Sequence, residues 1–411
     1  MKGNIAKRLI YKAISSVNSI EESKQQLQEY LQYAVILEFA TIPPYLTALY
    51  SLKDKSSDAY QVIRSVAIEE MLHINLVSNL MNAIGSSPKF VGQIASYPAT
   101  LLPPVLDGPR VQLMAASTEL MQKTFMAIEQ PGPLQQPEEG QPFKTIGQFY
   151  GAIEKLFEDC VNQYGEAAVF TGDPSLQRID YYFGSGSGKP IKVENLATAK
   201  EAIQQIMQQG EGAAPPTAAY RALQPWGAYN RYGNRNDGTY GPILGTPYEL
   251  SHYFKFKAIA DGKIPLPSVY PMLPNPSSDK FTNPKAQQLV TEFNNWYGVL
   301  VRTLEQIFSS NVTPDPYFTV VVKIMQSVFP TLATELMQTP VLEDGDADLG
   351  PTAAPTFEYS DTPLEEIERQ ISQLIEEGQH SQSMRATLKK VKEAAGDILG
   401  KLEGSELKKR L

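Results

Sequence analysis

The sequence predicts a mainly α-helical protein built on a four-helix bundle, with additional helices and irregular insertions. Apolar residues recur at helical spacing over 24–52 and 58–84, and the short loop between them predicts antiparallel neighbours. A glutamate also stands three residues before His73 and before His252, which places each pair on one face of a helix. Together these patterns predict a bundle with a polar site in its centre.

The remaining helices follow the same periodicity between loops rich in proline and glycine. Pro43 and Pro44 interrupt the first helix and predict a kink. The stretch 171–193 is expected to be irregular or short-stranded, and the end of the chain is expected to be a charged helical tail. The further predicted helices are 112–130, 145–164, 196–209, 246–260, 285–308 and 316–337.

Composition excludes several classes of function. A net charge of -9 over 411 residues argues against nucleic acid or an anionic membrane as the main partner, since both need concentrated Lys and Arg. The single cysteine, Cys160, excludes an internal disulfide framework and a cysteine-based metal cluster. The basic start lacks the apolar core of a signal peptide, and no later run reaches the roughly 18 apolar residues of a membrane span. We therefore expect a soluble cytoplasmic protein.

The first Glu-x-x-His pair, Glu70/His73, lies mid-helix among apolar residues, where a carboxylate and an imidazole on one face can bind one ion or bridge two. Glu69 could replace Glu70 geometrically, although it lies nearer the polar side of the helix. A third pair, Glu377/His380, has polar surroundings and is expected to be part of the solvated tail.

The second pair, Glu249/His252, has two interpretations, which differ in whether Glu249 binds metal. Thr246 followed three residues later by Glu249 also fits a capping box, so Glu249 could cap its own helix. Glu211 is then the nearest substitute ligand, because it follows an amphipathic helix. His252 precedes an apolar face and is the more secure ligand of the pair.

Two Glu-x-x-His pairs plus one glutamate from each of two other helices form the ligand set of carboxylate-bridged di-metal bundles. Glu38 is the first candidate, because an unpaired carboxylate on its apolar stripe would be costly. Glu154 is the second, with Glu158 one turn on as its rival. Gly147 and Gly151 share that face and suggest a bulky or closely packed neighbour, because glycine weakens a helix.

Several blocks of the sequence resemble a known family: LQYAVILEFATIPPYLTALYSLK, IEEMLHINLVSNLMNAIGSSPKF, QGEG, ELSHYFKF and PTFEY. They are similar to the ferritin-like module of the iminophenyl-pyruvate dimer synthases, which act in violacein and rebeccamycin assembly. The resemblance covers roughly 24–360 and implies a ferritin-like bundle. Those enzymes are much longer, so their dimerisation of imino acids is not carried over. The resemblance assigns metal binding to Glu38, Glu70, His73, Glu154, Glu249 and His252, with Glu211 left open.

These patterns and the resemblance lead to one functional expectation and one alternative. The first is a non-haem di-iron, or Mn/Fe, oxidoreductase that activates O2 on a small organic substrate, amino-acid-derived and from secondary metabolism. The alternative is a ferritin-like metal-binding protein or ferroxidase without an organic substrate. The expected division is a metal-binding domain with insertions over 1–360 and a tail over 361–411, and a homo-oligomer is left open.

Overall fold

A computed structural model describes residues 19–101, 109–132, 138–180, 188–212, 250–313, 315–377 and 380–411. The described chain is mainly helical, as the sequence predicts. Its one two-stranded ribbon within these ranges pairs β1, Ala99–Thr100, with β2, Arg110–Val111, in antiparallel register. The fold is therefore held together by packing between helices.

The two longest helices of the predicted bundle are α1, Ile20–Ser51, and α2, Asp58–Ala83. Ser19 begins α1 with a complete capping box, and Ser57 caps α2 by accepting from the Tyr60 amide. The short connection makes them antiparallel, and they pack along their length. Both helices are buried on almost every face near their middle, which places the middle of the pair inside the protein.

Two shorter helices complete the bundle. α3 is a continuous helix of three segments, Thr118–Leu120, the π-helical Met121–Phe125, and Met126–Ile128. α7, His252–Ala260, packs against both α2 and α3. An aromatic cluster joins α1 to these two helices, because the ring of Tyr45 lies 4.7 Å from that of Phe125 and 5.1 Å from that of Phe256.

The other helices surround the bundle. They are α4 (Ile146–Tyr164), α5 (Glu166–Val169), α6 (Leu196–Gly210), α8 (Pro284–Ser309), α9 (Tyr317–Met337), α10 (Leu364–Glu377), α11 (Gln382–Lys401) and α12 (Glu406–Arg410), with 3₁₀ turns at Pro174–Leu176 and Ser278–Lys280. α4 lies against α1 and α6, and α6 also contacts α2. α8 and α9 pack on each other and against the α1–α2 pair.

Helix α1 continues through Pro43 and Pro44. A proline has no N–H, so Pro44 leaves the carbonyl of Ala40 without its usual donor four residues on. The hydroxyl of Tyr97 supplies that donor at 2.6 Å. The backbone immediately after Glu38 is thereby fixed by a tertiary hydrogen bond.

Helix α9 contains two π-helical segments, Tyr317–Val321 and Ile324–Val328, which the sequence analysis did not predict. By length and composition this helix could also cross a membrane, with a mean hydropathy of 1.3, and 56% of its apolar window is buried inside the protein. The core helix of a soluble protein can be as long and as apolar as this one.

The last part of the chain is helical and joins the main hydrophobic core. Ile367 and Ile371 of α10 and Leu388 of α11 are fully buried in it. The guanidinium of Arg302 on α8 donates to the backbone oxygens of Thr362 at 2.7 Å and of Leu411 at 2.8 Å. The C-terminal helices are therefore packed against the body of the protein.

Candidate metal centre

Five side chains meet between the four bundle helices and form two overlapping groups of potential metal ligands. Glu38 comes from α1, Glu70 and His73 come from α2, Glu129 follows α3, and His252 begins α7. All five are nearly inaccessible to solvent. We call these residues the Glu/His cluster.

Glu70 is shared by the two groups, because its two carboxylate oxygens face different histidines. Its Oε1 lies 3.0 Å from Nδ1 of His252, and its Oε2 lies 3.4 Å from Nδ1 of His73. Glu38 completes the first group at 3.3 Å from His73, and Glu129 completes the second at 3.7 Å from His252. This is the arrangement expected of a carboxylate that bridges two ions.

The distances and the unsatisfied atoms both fit metal ions. Neighbouring ligand atoms around an octahedral ion with bonds of about 2.1 Å lie about 3 Å apart, close to the separations seen here. Oε2 of Glu70 and Nδ1 of His252 are buried and have no hydrogen-bond partner among the described residues. Buried polar atoms are rarely left in this way. Two divalent ions would satisfy them.

Both imidazoles turn Nδ1 towards the carboxylates of the Glu/His cluster. Nε2 of His252 lies 2.9 Å from Oε2 of Glu69, and Nε2 of His73 lies 3.1 Å from Oε1 of Gln209. Donation from Nε2 to these acceptors leaves Nδ1 of each ring to face the Glu/His cluster. Such a partner fixes the orientation of a ligating histidine and raises its basicity. Glu69, considered above as a ligand, thus has an orienting position and is also bound by Lys255 at 2.5 Å.

Two tyrosines hold the outer carboxylates. The hydroxyl of Tyr45 on α1 donates to Oε1 of Glu129 at 2.5 Å, and the hydroxyl of Tyr150 on α4 donates to Oε1 of Glu38. Each bond occupies one oxygen and leaves the other directed at the histidines. The tyrosines therefore limit how Glu38 and Glu129 can bind an ion.

Without metal, the Glu/His cluster holds positive charge as protons. Burial alone would lower the pKa of His73, but the nearby carboxylates of Glu38 and Glu70 raise it to about 10. The pKa of His252 is likewise raised well above its usual value, chiefly by Glu129 against the effect of burial. Burial and the neighbouring Glu129 raise the pKa of Glu70 to about 7. Ions that bind here must displace these protons.

We expect metal loading to release protons and to become tighter as the pH rises. The raised pKa of both imidazoles favours their protonated form in the metal-free protein, so binding of two divalent ions should release protons. Titration of Mn²⁺ into weakly buffered metal-free protein with a pH indicator measures the release. His73→Ala should release fewer protons, and loading without proton release would contradict the assignment of the imidazoles.

Glu211 lies beside the Glu/His cluster, on the first residue after α6. Its carboxylate accepts from the backbone amide of Gly147, at the start of α4, and from that of Gly132 at 3.3 Å. A Cβ at position 147 would lie 2.2 Å from its Oε2, so only glycine leaves room for this carboxylate. Burial raises the pKa of Glu211 to about 7. The closely packed neighbour expected beside Gly147 is therefore the Glu211 carboxylate.

The structure does not bring Glu154 into the Glu/His cluster. Glu154 lies on the flank of α4 that faces α6, 3.1 Å from Nζ of Lys200, and Glu158 lies 2.6 Å from the same nitrogen. The residue that α4 turns towards the cluster is Tyr150, one helical turn earlier. Helix α4 does contribute a polar group to the site, but that group is the phenol of Tyr150 and not a carboxylate.

Two other predictions concerned Glu249 and His380. Glu249 lies outside the described residues, as do Thr246 and the predicted start of its helix. The choice between Glu249 and Glu211 as a further ligand therefore stays open. His380 lies apart from the cluster, and its Nε2 donates to the backbone oxygen of Leu374 at 2.8 Å.

The sequence analysis missed Glu129. The residue ends the predicted helix 112–130, and Met121 and Phe125 precede it on the buried stripe at spacings of eight and four residues. The other acid of this helix, Glu119, is exposed and paired with Lys123 at 2.7 Å. A requirement that each bundle helix supply a buried acid would have selected Glu129.

A larger cavity lies next to the Glu/His cluster. A small cavity of about 10 Å³, lined by Glu38, Glu70 and Glu129, touches the cluster and ends at Met207 and Glu211. On the other side of these two residues, a cavity of about 680 Å³ is lined by parts of α4 and α6. Met207 and Glu211 line both cavities, and they separate the cluster from the larger one.

Comparisons with known proteins agree with this architecture. The solved structure of a ferritin-like protein from Caulobacter vibrioides is similar over 82% of this chain and 98% of that chain. The sequences are 22% identical and the TM-score is 0.50, so this likeness shows the fold alone. No curated protein matches the chain. The family model described as Ferritin-like matches residues 31–261, more than half of the chain and all five members of the Glu/His cluster, and the chain therefore belongs to the ferritin-like family.

Proposed function

We propose that the protein is a non-haem di-iron, or Mn/Fe, oxidoreductase that activates O2 on a small organic substrate. The observation that carries the proposal is Glu70, whose two oxygens each face a different histidine within the Glu/His cluster. Carboxylates and imidazoles suit Fe²⁺ and Mn²⁺, and a bridging carboxylate holds two ions close together. Two iron ions held there would supply electrons to O2.

The protein's own residues would set the surroundings of the ions. Three carboxylates in the Glu/His cluster carry a charge of about -3, and Glu211 or Glu249 would bring it to about -4. That charge balances two divalent ions and favours the more highly charged oxidised pair. Tyr45 and Tyr150 keep Glu129 and Glu38 in place, and burial excludes water from the site.

The adjacent cavity supports an organic substrate. Its volume of about 680 Å³ falls in the range of small-molecule sites, and Met207 and Glu211 line both this cavity and the one at the cluster. A protein that only oxidises or stores iron needs no more than a path for ions. The resemblance to iminophenyl-pyruvate dimer synthases points in the same direction, towards an amino-acid-derived substrate in secondary metabolism.

The alternative function is a ferritin-like metal-binding protein or ferroxidase without an organic substrate. The four glutamates that line the small cavity favour this alternative, because their carboxylates attract cations. We place either activity in the cytoplasm and propose neither nucleic acid nor a membrane as a partner. Assembly into a homo-oligomer is compatible with both activities.

The test is to load the metal-free protein anaerobically with iron and then mix it with oxygenated buffer. We expect close to two iron ions per chain, uptake of O2, and a ferric carboxylate absorbance in stopped flow. Iron content near zero, one zinc ion per chain, or a protein that stays colourless in air for hours would overturn the proposal. With excess Fe²⁺, iron oxidation that continues without limit identifies the ferroxidase, whereas oxidation that stops near two ions per chain supports the oxidoreductase.

Glu38→Ala and Glu154→Ala form a matched pair for this test. Both remove a glutamate side chain from a long helix, but only Glu38 belongs to the Glu/His cluster. Glu38→Ala should suppress O2 uptake by at least tenfold with little loss of thermal stability, and Glu154→Ala should leave uptake unchanged. Equal loss in both variants would point to general disruption of the fold.

A further inference from the structure

We propose that the protein has a second binding site, between α1, α2 and α9, for a carboxylate with an unbranched chain of about six carbons. The site shares no lining residue with the cavities beside the Glu/His cluster. It consists of an apolar cavity and a basic depression that opens next to it. The proposal is independent of the metal chemistry.

The apolar cavity lies on the side of α1 and α2 that faces α9. Leu46 and Leu49 line it from α1, Ala67 and Met71 from α2, and Met325 from α9. Its volume is about 60 Å³, and a water-sized probe needs about 10–15 Å³. The cavity therefore holds about four such groups, which matches the inner carbons of a short chain.

The two π-helical segments of α9 form the wall opposite the α1–α2 pair. Val321 ends the first segment and Met325 lies in the second, and both line the cavity. A π-helical turn is wider than an α-helical turn and is frequent at functional sites. The π-helical part of α9 is thus the part that lines the apolar cavity.

One end of the cavity is polar. Tyr50 lines it, is 4% exposed, and has a hydroxyl with no hydrogen-bond partner among the described residues. Arg64 and Tyr60 lie close enough to Tyr50 to affect its ionisation, and Arg64 is itself buried at 8% exposure. An unsatisfied donor beside a buried guanidinium is suited to a carboxylate, which accepts from both.

The basic depression continues from this polar end. Tyr60, Arg64, Gln326 and Pro330 line both spaces, so the depression and the cavity are adjoining parts of one site. The depression has a volume of about 720 Å³. Any ligand with its chain in the cavity would have its other end here.

The depression carries an excess of positive charge. Lys55, Lys323 and Lys390 line it together with Arg64. Partial burial and the neighbouring charge of Lys390 lower the pKa of Lys55, so an anion placed between these two ammonium groups would relieve their repulsion.

The acids of the depression neutralise only part of this charge. One oxygen of Glu335 pairs with Lys285 at 2.5 Å, and the other accepts from Ser383 at 2.5 Å. Asp397 pairs with Lys323 at 3.1 Å. Glu393 is the other acid that lines the depression. Among the described lining residues, Lys55 and Lys390 are accompanied by one further acid, Glu393, so the depression favours an anionic head group.

Isothermal titration calorimetry of the full chain tests the proposal with three probes: hexanoate, acetate and 1-hexanol. Each methylene moved from water into the cavity should strengthen binding about fourfold. Hexanoate has four methylenes more than acetate, so it should bind roughly 250-fold more tightly. It should bind at least tenfold more tightly than 1-hexanol, which has the chain without the charge.

Three variants assign the binding to this site. Tyr50→Phe should weaken hexanoate binding about tenfold without lowering the melting temperature, because the hydroxyl makes no hydrogen bond that would be lost. Lys390→Gln, a surface change that leaves the core intact, should weaken hexanoate binding about threefold and leave 1-hexanol unaffected. Lys123→Gln, on an exposed lysine of α3, is the charge control and should change neither.

Several results would overturn the proposal. They are no binding of hexanoate, equal binding of hexanoate and 1-hexanol, or hexanoate binding that Tyr50→Phe and Lys390→Gln both leave unchanged. Metal-free and iron-loaded protein should bind hexanoate equally, and competition between iron and hexanoate would instead assign the carboxylate to the Glu/His cluster.

Discussion

Glu70→Ala is expected to reduce the metal content from about two ions per chain to nearly none. Glu70 belongs to both groups of potential ligands, and each of its oxygens faces one histidine, so its loss removes a ligand from both ions. The same change should not destabilise the metal-free protein, because burial and Glu129 already disfavour the Glu70 carboxylate. Metal analysis after reconstitution, together with a melting curve of the metal-free protein, measures both effects.

His73→Ala and His380→Ala are the controls for this result. His73→Ala should remove at least one ion, because His73 belongs to one of the two groups. His380 lies outside the Glu/His cluster, so His380→Ala should leave the metal content unchanged. If Glu70→Ala retained two ions, the bridging role of Glu70 would be wrong even if the protein binds metal elsewhere.

The largest expected effect on stability comes from Lys255→Met. Lys255 is completely buried, and its ammonium group contacts Glu69 at 2.5 Å. That contact, against the effect of burial, lowers the pKa of Glu69 to about 2. Removing the ammonium leaves the buried Glu69 carboxylate beside His252 without its lysine, and breaking a buried ion pair in this way costs about 3–5 kcal/mol in the free energy of unfolding. Denaturant unfolding at pH 7 measures the loss.

Lys257→Met is the matched control on the same helix. The side chain of Lys257 is 41% exposed and pairs with Asp261 at 2.9 Å, and an ion pair so open to solvent contributes about 0–1 kcal/mol. A second check is the double variant Glu69→Gln with Lys255→Met, which should recover part of the stability because no buried charge remains unpaired. Equal effects of the two lysine substitutions would show that the buried pair has no special importance.

The helices and the two histidines that meet in the Glu/His cluster could be predicted because their signals are local. The apolar periodicity of α1 and α2 repeats over many turns, and the spacing of Glu70 and His73 is set by the helix itself. Glu38 could be selected because an acid on a long apolar stripe needs a reason to be there. The Ferritin-like family match confirms the resulting fold class, while the narrower resemblance to iminophenyl-pyruvate dimer synthases stays a prediction.

The rest of the site depends on contacts between distant parts of the chain. Choosing between Glu129 and Glu154 requires knowing that α3 packs against α7, and that α4 instead packs against α1 and α6. Both helices carry an acid near a buried stripe, so periodicity alone does not separate them. The role of Glu69 is similar, because its partners His252 and Lys255 are more than 180 residues away in the sequence.

The π-helical turn of α3 makes the length of this helix as important as its composition. Its hydrogen bond from the Met126 amide to the Met121 oxygen spans five residues, where an α-helix spans four. One residue corresponds to a rotation of about 100° around a helix, and Glu129 lies three residues beyond this turn. Converting this turn to an α-helical turn without removing a residue would therefore turn Glu129 away from His252, although every member of the Glu/His cluster stays in the sequence. A redesign of this bundle must preserve the π-helical turn of α3 as strictly as it preserves the ligands.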